Sequence, residues 1–215
     1  MLKKLLFVTG IVVFAFTVLI ITVLRVASDK YSYKLKGANL SDIAVMGQNE
    51  KLEGIYIDYY LPSPGPVLPD SPWWKLKALR DKLWLLITVD KVKKAELNLL
   101  FADKRLVSAK KLYDKGNYDL GFTTLSKAEK YLVEAGDREA KLRESGIDTV
   151  PLATMILKAS YKHRQVIKQI QLIAPNDGRS DIVIVENTVR GLSEDKDSVL
   201  KDKGIISPSN PFNGL

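Results

Sequence analysis

The sequence predicts an all-α protein. An N-terminal transmembrane helix leads to an extracytoplasmic antiparallel bundle of four to five helices, entered through a proline-rich extended strap. Three observations predict this. Leu5–Leu24 is 20 residues long and carries no charge. Five prolines fall between positions 62 and 72. From Trp73 onward, apolar residues recur at intervals of three and four, the spacing of a helix face.

The chain divides accordingly. Residues 1–4 are an expected cytoplasmic N-terminus, 5–24 a signal anchor and 25–57 a tether. Residues 58–72 form the strap, 73–200 the bundle and 201–215 a disordered tail.

At 1.5 Å rise per residue the anchor spans roughly 30 Å, the thickness of a bilayer's hydrocarbon core. A cleaved signal peptide is the competing reading, but its apolar region is usually only ~7–15 residues. Cleavage after Ala27 would put Arg25 at the minus-three position; cleavage after Ser28, with Val26 there, stays open. The uncleaved anchor is favoured. Flanking charge nearly ties: Lys3, Lys4 and the amino group stand against Arg25, Lys30, Lys34 and Lys36. Large C-terminal domains translocate largely regardless of such charges, so the N-terminus is placed inside and the bulk outside.

The tether has no sustained period and scatters Gly37, Gly47 and Gly54 among charges. In the strap, proline rules out helix and central strand and leaves polyproline II. Tyr59, Tyr60, Leu61 and Leu68 are expected to pack along the bundle; exposure as a ligand for a proline-binding module is the alternative. Asp70 or Ser71 is then the cap of the first helix, with Pro72 in its first turn.

The first helix is Trp73–Thr88, with Leu76, Leu79, Leu83 and Leu86 as its core stripe. Trp73, Trp74 and Trp84 with Lys75, Lys77 and Lys82 also resemble an interfacial membrane helix. Packing of the tryptophans against the strap is favoured. The second helix, Asp90–Gly116, carries a stripe of Val92, Ala95, Leu99, Ala102, Leu106, Ala109 and Tyr113. Asp90 suits an N-cap and Gly116 a left-handed C-cap. The short turn returns the chain antiparallel into Tyr118–Ala135, where Gly121 and Ala128 allow close approach to Ala102 and Ala109. Gly136 is a weak point before Arg138–Glu144. Asp148 or Thr149 caps a fourth helix that has Pro151 in its first turn and runs to about Ile173. Ser180–Leu192 is divided. Ile182–Val185 favours a strand by composition, whereas Ile182, Val185, Val189 and Leu192 favour a helix by period. Helix is preferred in an otherwise helical chain.

The chain has no Cys, which excludes disulfides, thiolate catalysis and Cys-based metal sites. His163 is the single histidine and lies on the apolar seam of the fourth helix. A hydrogen-bonded interior histidine is the expected role; a metal or acid–base role is the alternative. Asp90–Lys94 and Lys110–Asp114 read as surface pairs four residues apart. Neither a phosphate-binding glycine loop, nor a dinucleotide fingerprint, nor a nucleophile elbow occurs. No catalytic, cofactor-binding or metal residue is assigned, no cofactor is expected, and the chain does not read as an enzyme. The net charge of +8 is spread over helix faces. It suits a protein, anionic envelope polymer or lipid partner; nucleic acid is not expected.

Several segments in order carry a resemblance. They are Tyr59-Tyr60-Leu61-Pro62, Leu68-Pro69-Asp70-Ser71-Pro72, Leu76-Lys77-Ala78-Leu79-Arg80-Asp81, Lys93-Lys94-Ala95-Glu96-Leu97, Ala102-Asp103-Lys104-Arg105-Leu106 and Lys127-Ala128-Glu129-Lys130-Tyr131-Leu132. Ser160–Val166 adds a lysine–histidine segment. Over about Tyr59–Leu192 the chain resembles a prokaryotic domain-of-unknown-function family whose members are largely membrane-anchored or exported helical proteins. The resemblance implies a helical bundle outside the membrane and brings no catalytic residues. Its charged motif suggests a partly buried layer in which Asp81, Asp103 and Arg105 meet Arg80, Lys127 and Glu129, fixing helix register.

The expected function is a single-pass membrane protein presenting a non-catalytic helical interaction or scaffold domain in the cell envelope. Two alternatives stand beside it. One is an extracytoplasmic sensor or binding module for metal or small ligand around His163. The other is a basic, tryptophan-bearing surface for anionic envelope polymer or lipid.

Overall fold

The computed structural model of the protein describes residues 9, 10, 14, 17, 18 and 56–213. The expected anchor, and the tether up to residue 55, lie outside them apart from those first five, which are helical. No helix among the described residues is long and apolar enough to cross a membrane. Five α-helices follow: α1 Trp74–Ile87, α2 Lys91–Asp114, α3 Tyr118–Glu144, α4 Val150–Ile173 and α5 Arg179–Asp202. A 3-10 turn, Asn176–Gly178, precedes α5. No strand occurs among the described residues.

α2 and α3 form the central hairpin, and both ends of α2 follow from local chemistry. Asp90 accepts from the amides of Val92 and Lys93 at 2.9 and 3.2 Å. Two N-terminal amides that a helix leaves orphaned are thereby satisfied. At the other end Gly116 has φ 76°. Its amide bonds to Tyr113 and that of Asn117 to Leu112, closing a Schellman motif that only a left-handed residue permits. The stripe of α2 is buried from Ala95 to Tyr113 against Leu125, Ala128, Leu132 and Ala135 of α3. Ile156, Ala159, Ile167 and Ile170 of α4 and Ile182 and Val189 of α5 complete one core. Each fully buried leucine or isoleucine contributes about 1.5–3 kcal/mol, which offsets the entropy of ordering the chain.

Gly121 has a different neighbour from the one its spacing suggested. A Cβ there would lie 2.8 Å from the Tyr113 ring, so the small residue makes room for that ring. Gly136 does not interrupt α3. A Cβ there would come within 2.6 Å of Leu192 Cδ1, so this glycine lets α5 lie close. In α5 the period of the apolar residues prevails over their strand-forming composition. Ile182 and Val189 are buried while Ile184 faces solvent, an arrangement only a helix allows.

Three expectations are corrected. The first concerns α1. Leu76, Leu79 and Leu86, expected in the core, are 59%, 52% and 75% exposed, and Asp81 is the helix's one buried residue. α1 has a second apolar face, and that face wins. Trp84 and Leu85 pack on Leu97, Leu100 and Phe101 of α2, with Trp84 edge-on to Phe101 at 5.9 Å. Lys77 reinforces the choice by donating to the carbonyls of Pro64 and Val67 in the strap at 2.6 and 2.9 Å. Trp73, expected against the strap, is exposed. The second concerns the cap. Ser71 does accept the Trp73 amide on its hydroxyl at 3.4 Å, but the position adjoining α1 is Trp73, which makes no side-chain cap bond, and Asp70 takes no part. Asp70 instead pairs with Lys115, 2.8 Å away at the end of α2.

The third concerns the tail. After Lys203 the chain returns to the bundle, and Phe212 is buried against Tyr161 and Leu200. The guanidinium of Arg164 and the ammonium of Lys168 lie over its ring at 4.2 and 4.9 Å. One buried aromatic anchor in contact with two cations is enough to hold a short segment. The strap behaves as expected for Leu61 and Leu68, which are buried, and for Tyr59, which packs on the core; Tyr60 stays exposed.

Candidate functional site

The chemistry-bearing residues converge in the core rather than in a cleft. α2 brings Asp103, α3 brings Glu129 and α4 brings His163 to one level of the bundle, all three buried. His163 Nδ1 lies 2.9 and 2.8 Å from the two oxygens of Glu129. Its Nε2 lies 3.0 Å from Asp103 Oδ1. The strap completes the group, since the Tyr59 hydroxyl donates to Asp103 Oδ2 at 2.8 Å.

With both flanking carboxylates ionised, each ring nitrogen donates a proton and the ring is an imidazolium. Burial alone pushes the His163 pKa down. The Glu129 charge and the hydrogen bonds to Asp103 and Glu129 outweigh it and raise the pKa to about 9. Burial pushes the Asp103 carboxyl up, opposed by its bonds to His163 and Tyr59. An imidazolium has no lone pair to give a metal ion, and this one has no exposed edge to offer a substrate. Among the described residues no group of three or more His, Asp or Glu side chains could hold a metal.

A second buried centre joins α3 to α5. Lys196 Nζ lies 2.7 Å from Glu139 Oε2, with the two side chains 1% and 0% exposed. Thr149, at the start of α4, donates to Glu139 Oε1 at 2.5 Å. Lys196 also donates to the Gly136 carbonyl at 3.3 Å and pairs with Asp195 at 2.8 Å. Sequence reasoning missed this pair. The available signal was Lys196 itself, which continues the Ile182–Val189 seam at helical spacing and so points inward.

The charged layer expected from the motif forms only in part. Asp103 and Glu129 do share a layer, but His163 is the group that joins them. Arg105 stacks over the Tyr131 ring at 4.3 Å, and Arg80 pairs with its neighbour Asp81 at 2.7 Å. Lys127 is exposed and outside the layer. Lys110–Asp114 forms a surface pair, at 2.5 Å. An open groove of about 450 Å³ lies between the entry segment and the tail and holds the Lys158–Asp58 pair.

A family model described as Domain of unknown function (DUF5667) matches residues 66–177, just over half of the chain. The chain belongs to the DUF5667 family. No curated protein and no solved structure matches it. The sequence resemblance reached from about 59 to 192; the DUF5667 match runs from within the strap to the 3-10 turn after α4. Asp103, Glu129 and His163 all fall inside the DUF5667 segment. Tyr59, Asp195 and Lys196 lie outside it, so each buried centre draws on the chain beyond the family segment.

Proposed function

We propose that this DUF5667 protein is a single-pass membrane protein that presents a non-catalytic helical scaffold or interaction domain in the cell envelope. One observation supports the non-catalytic part above all. The ionisable groups that could do chemistry, His163, Asp103, Glu129, Glu139 and Lys196, are spent joining helices and strap to one another. A catalytic acid or base needs a substrate proton within reach, and these have none. The membrane part is supported by the sequence of Leu5–Leu24, uncharged and long enough for a bilayer.

Protease accessibility in sealed cells and spheroplasts tests this reading. Cleavage of the domain from outside, with the N-terminal segment staying in the membrane fraction, is the expected outcome. Protection until the membrane is opened would place the domain in the cytoplasm and overturn the reading.

A further inference from the structure

We propose that the outward leucine face of α1 docks on an anionic bilayer surface, laying this helix along the membrane from which the domain is suspended; the proposal rests on the membrane-anchored reading above. At 3.6 residues per turn, Leu86, Leu79, Leu83, Leu76, Ile87 and Trp73 occupy an arc of about 140° on α1. Leu76, Leu79, Leu86 and Trp73 are more than half exposed. No acidic residue falls on this arc. Lys75 and Lys82, both exposed, run along one margin, and Arg80, paired with Asp81, lies just inside the other, about 20° from Trp73. The acidic residue of α1, Asp81, is turned inward and buried.

An apolar stripe bordered by cations and bearing a tryptophan matches the acyl-chain boundary of a bilayer below and anionic headgroups beside it. A second copy of the chain is a poorer occupant, because pairing like faces brings the same cations against each other. A membrane is also the surface already at hand. The apolar stretch ends at Leu24, and the connection to the next described residue, Tyr56, is 31 residues, Arg25 to Ile55. Covalent geometry limits 31 residues to a reach of at most ~110 Å, so the helix cannot leave the neighbourhood of the bilayer. The inner face keeps α1 on the domain meanwhile, through Trp84 on Phe101 and Lys77 on the strap.

Because the chain has no Cys, Leu79→Cys in the full chain carries one label. The test reconstitutes that variant, and Lys111→Cys at an exposed position of α2 as a reference, into vesicles of phosphatidylcholine with or without phosphatidylglycerol. The expected result is a several-fold loss of quenching by a water-soluble quencher at position 79 in the anionic vesicles. Molar salt, or Gln at positions 75, 80 and 82, should restore it, while position 111 stays quenched throughout. A chain that floats with anionic vesicles yet leaves position 79 fully quenched overturns the docking and spares the anchor. A chain that does not float overturns both. Shielding that persists in neutral vesicles and vanishes on protein dilution would identify a second copy as the occupant and overturn the lipid assignment.

Discussion

The Tyr59 hydroxyl donates to Asp103 Oδ2 at 2.8 Å, 44 residues away in sequence, so the extended strap is fastened to the charged layer at the centre of the bundle. Asp103 uses its other oxygen for His163. The strap is thus held by a hydrogen bond to a charged group as well as by Leu61 and Leu68.

Tyr59→Phe should therefore cost about 1–3 kcal/mol, because a buried carboxylate oxygen loses its donor. Amides of the strap should exchange faster than those of α2 in the same variant. Thermal unfolding with hydrogen exchange measures both; an unchanged melting point with unchanged strap protection would contradict the latch.

The Glu139–Lys196 pair predicts a strongly non-additive pair of substitutions. Lys196→Met leaves Glu139 buried without its main counter-charge and should cost about 3–5 kcal/mol. Adding Glu139→Gln removes the stranded charge and should recover a large part of that loss, because the charges that remain there, Arg143 and Asp195, reach solvent. Chemical denaturation of the four proteins of this cycle decides it. Additive losses would mean the pair is not an energetic unit.

Asn98 is fully buried on α2, and neither its side-chain oxygen nor its nitrogen has a hydrogen-bond partner among the described residues. An unsatisfied amide costs roughly 1–3 kcal/mol, so the similarly sized Asn98→Leu should raise the melting temperature. A clear fall in stability would show that the amide has a use.

Stability should fall as pH rises above neutrality. The folded pKa of His163 is raised to about 9 against an ordinary 6.5, so its contribution is complete below 6.5 and is lost as pH climbs through 9. The groups facing the ring are Glu129, Asp103 and, through Asp103, Tyr59. The difference corresponds to about 3 kcal/mol. His163→Gln should be less stable at pH 7 and show a flatter profile between pH 7 and 9. A wild-type profile as flat as the variant's would contradict the charged imidazolium.

The legible parts of the fold were those in which one local signal acts alone. Asp90, Gly116 and Pro151 mark helix ends through backbone chemistry that no distant residue alters. The stripe from Ala95 to Tyr113 could face only a core. α1 was misread because it has two apolar faces, and periodicity does not tell which one α2 will take. Phe101, edge-on to Trp84, decided that from another helix. The tail was misread because a single phenylalanine among Pro and Asn gives no period, and its cations sit on α4. His163 was legible as an interior residue from its seam. Its partners were not, since they come from positions 34 and 60 residues away.

The account depends most on His163 being a structural imidazolium, and the chain's single histidine makes this directly measurable. Nitrogen spectra of the whole labelled chain in detergent micelles should show both ring nitrogens protonated at pH 7. They should titrate only near pH 9 and stay unchanged by micromolar zinc. A neutral ring at pH 7 with a pKa near 6.5, or a zinc-dependent shift at either nitrogen, would contradict the account and return His163 to the list of groups free to act.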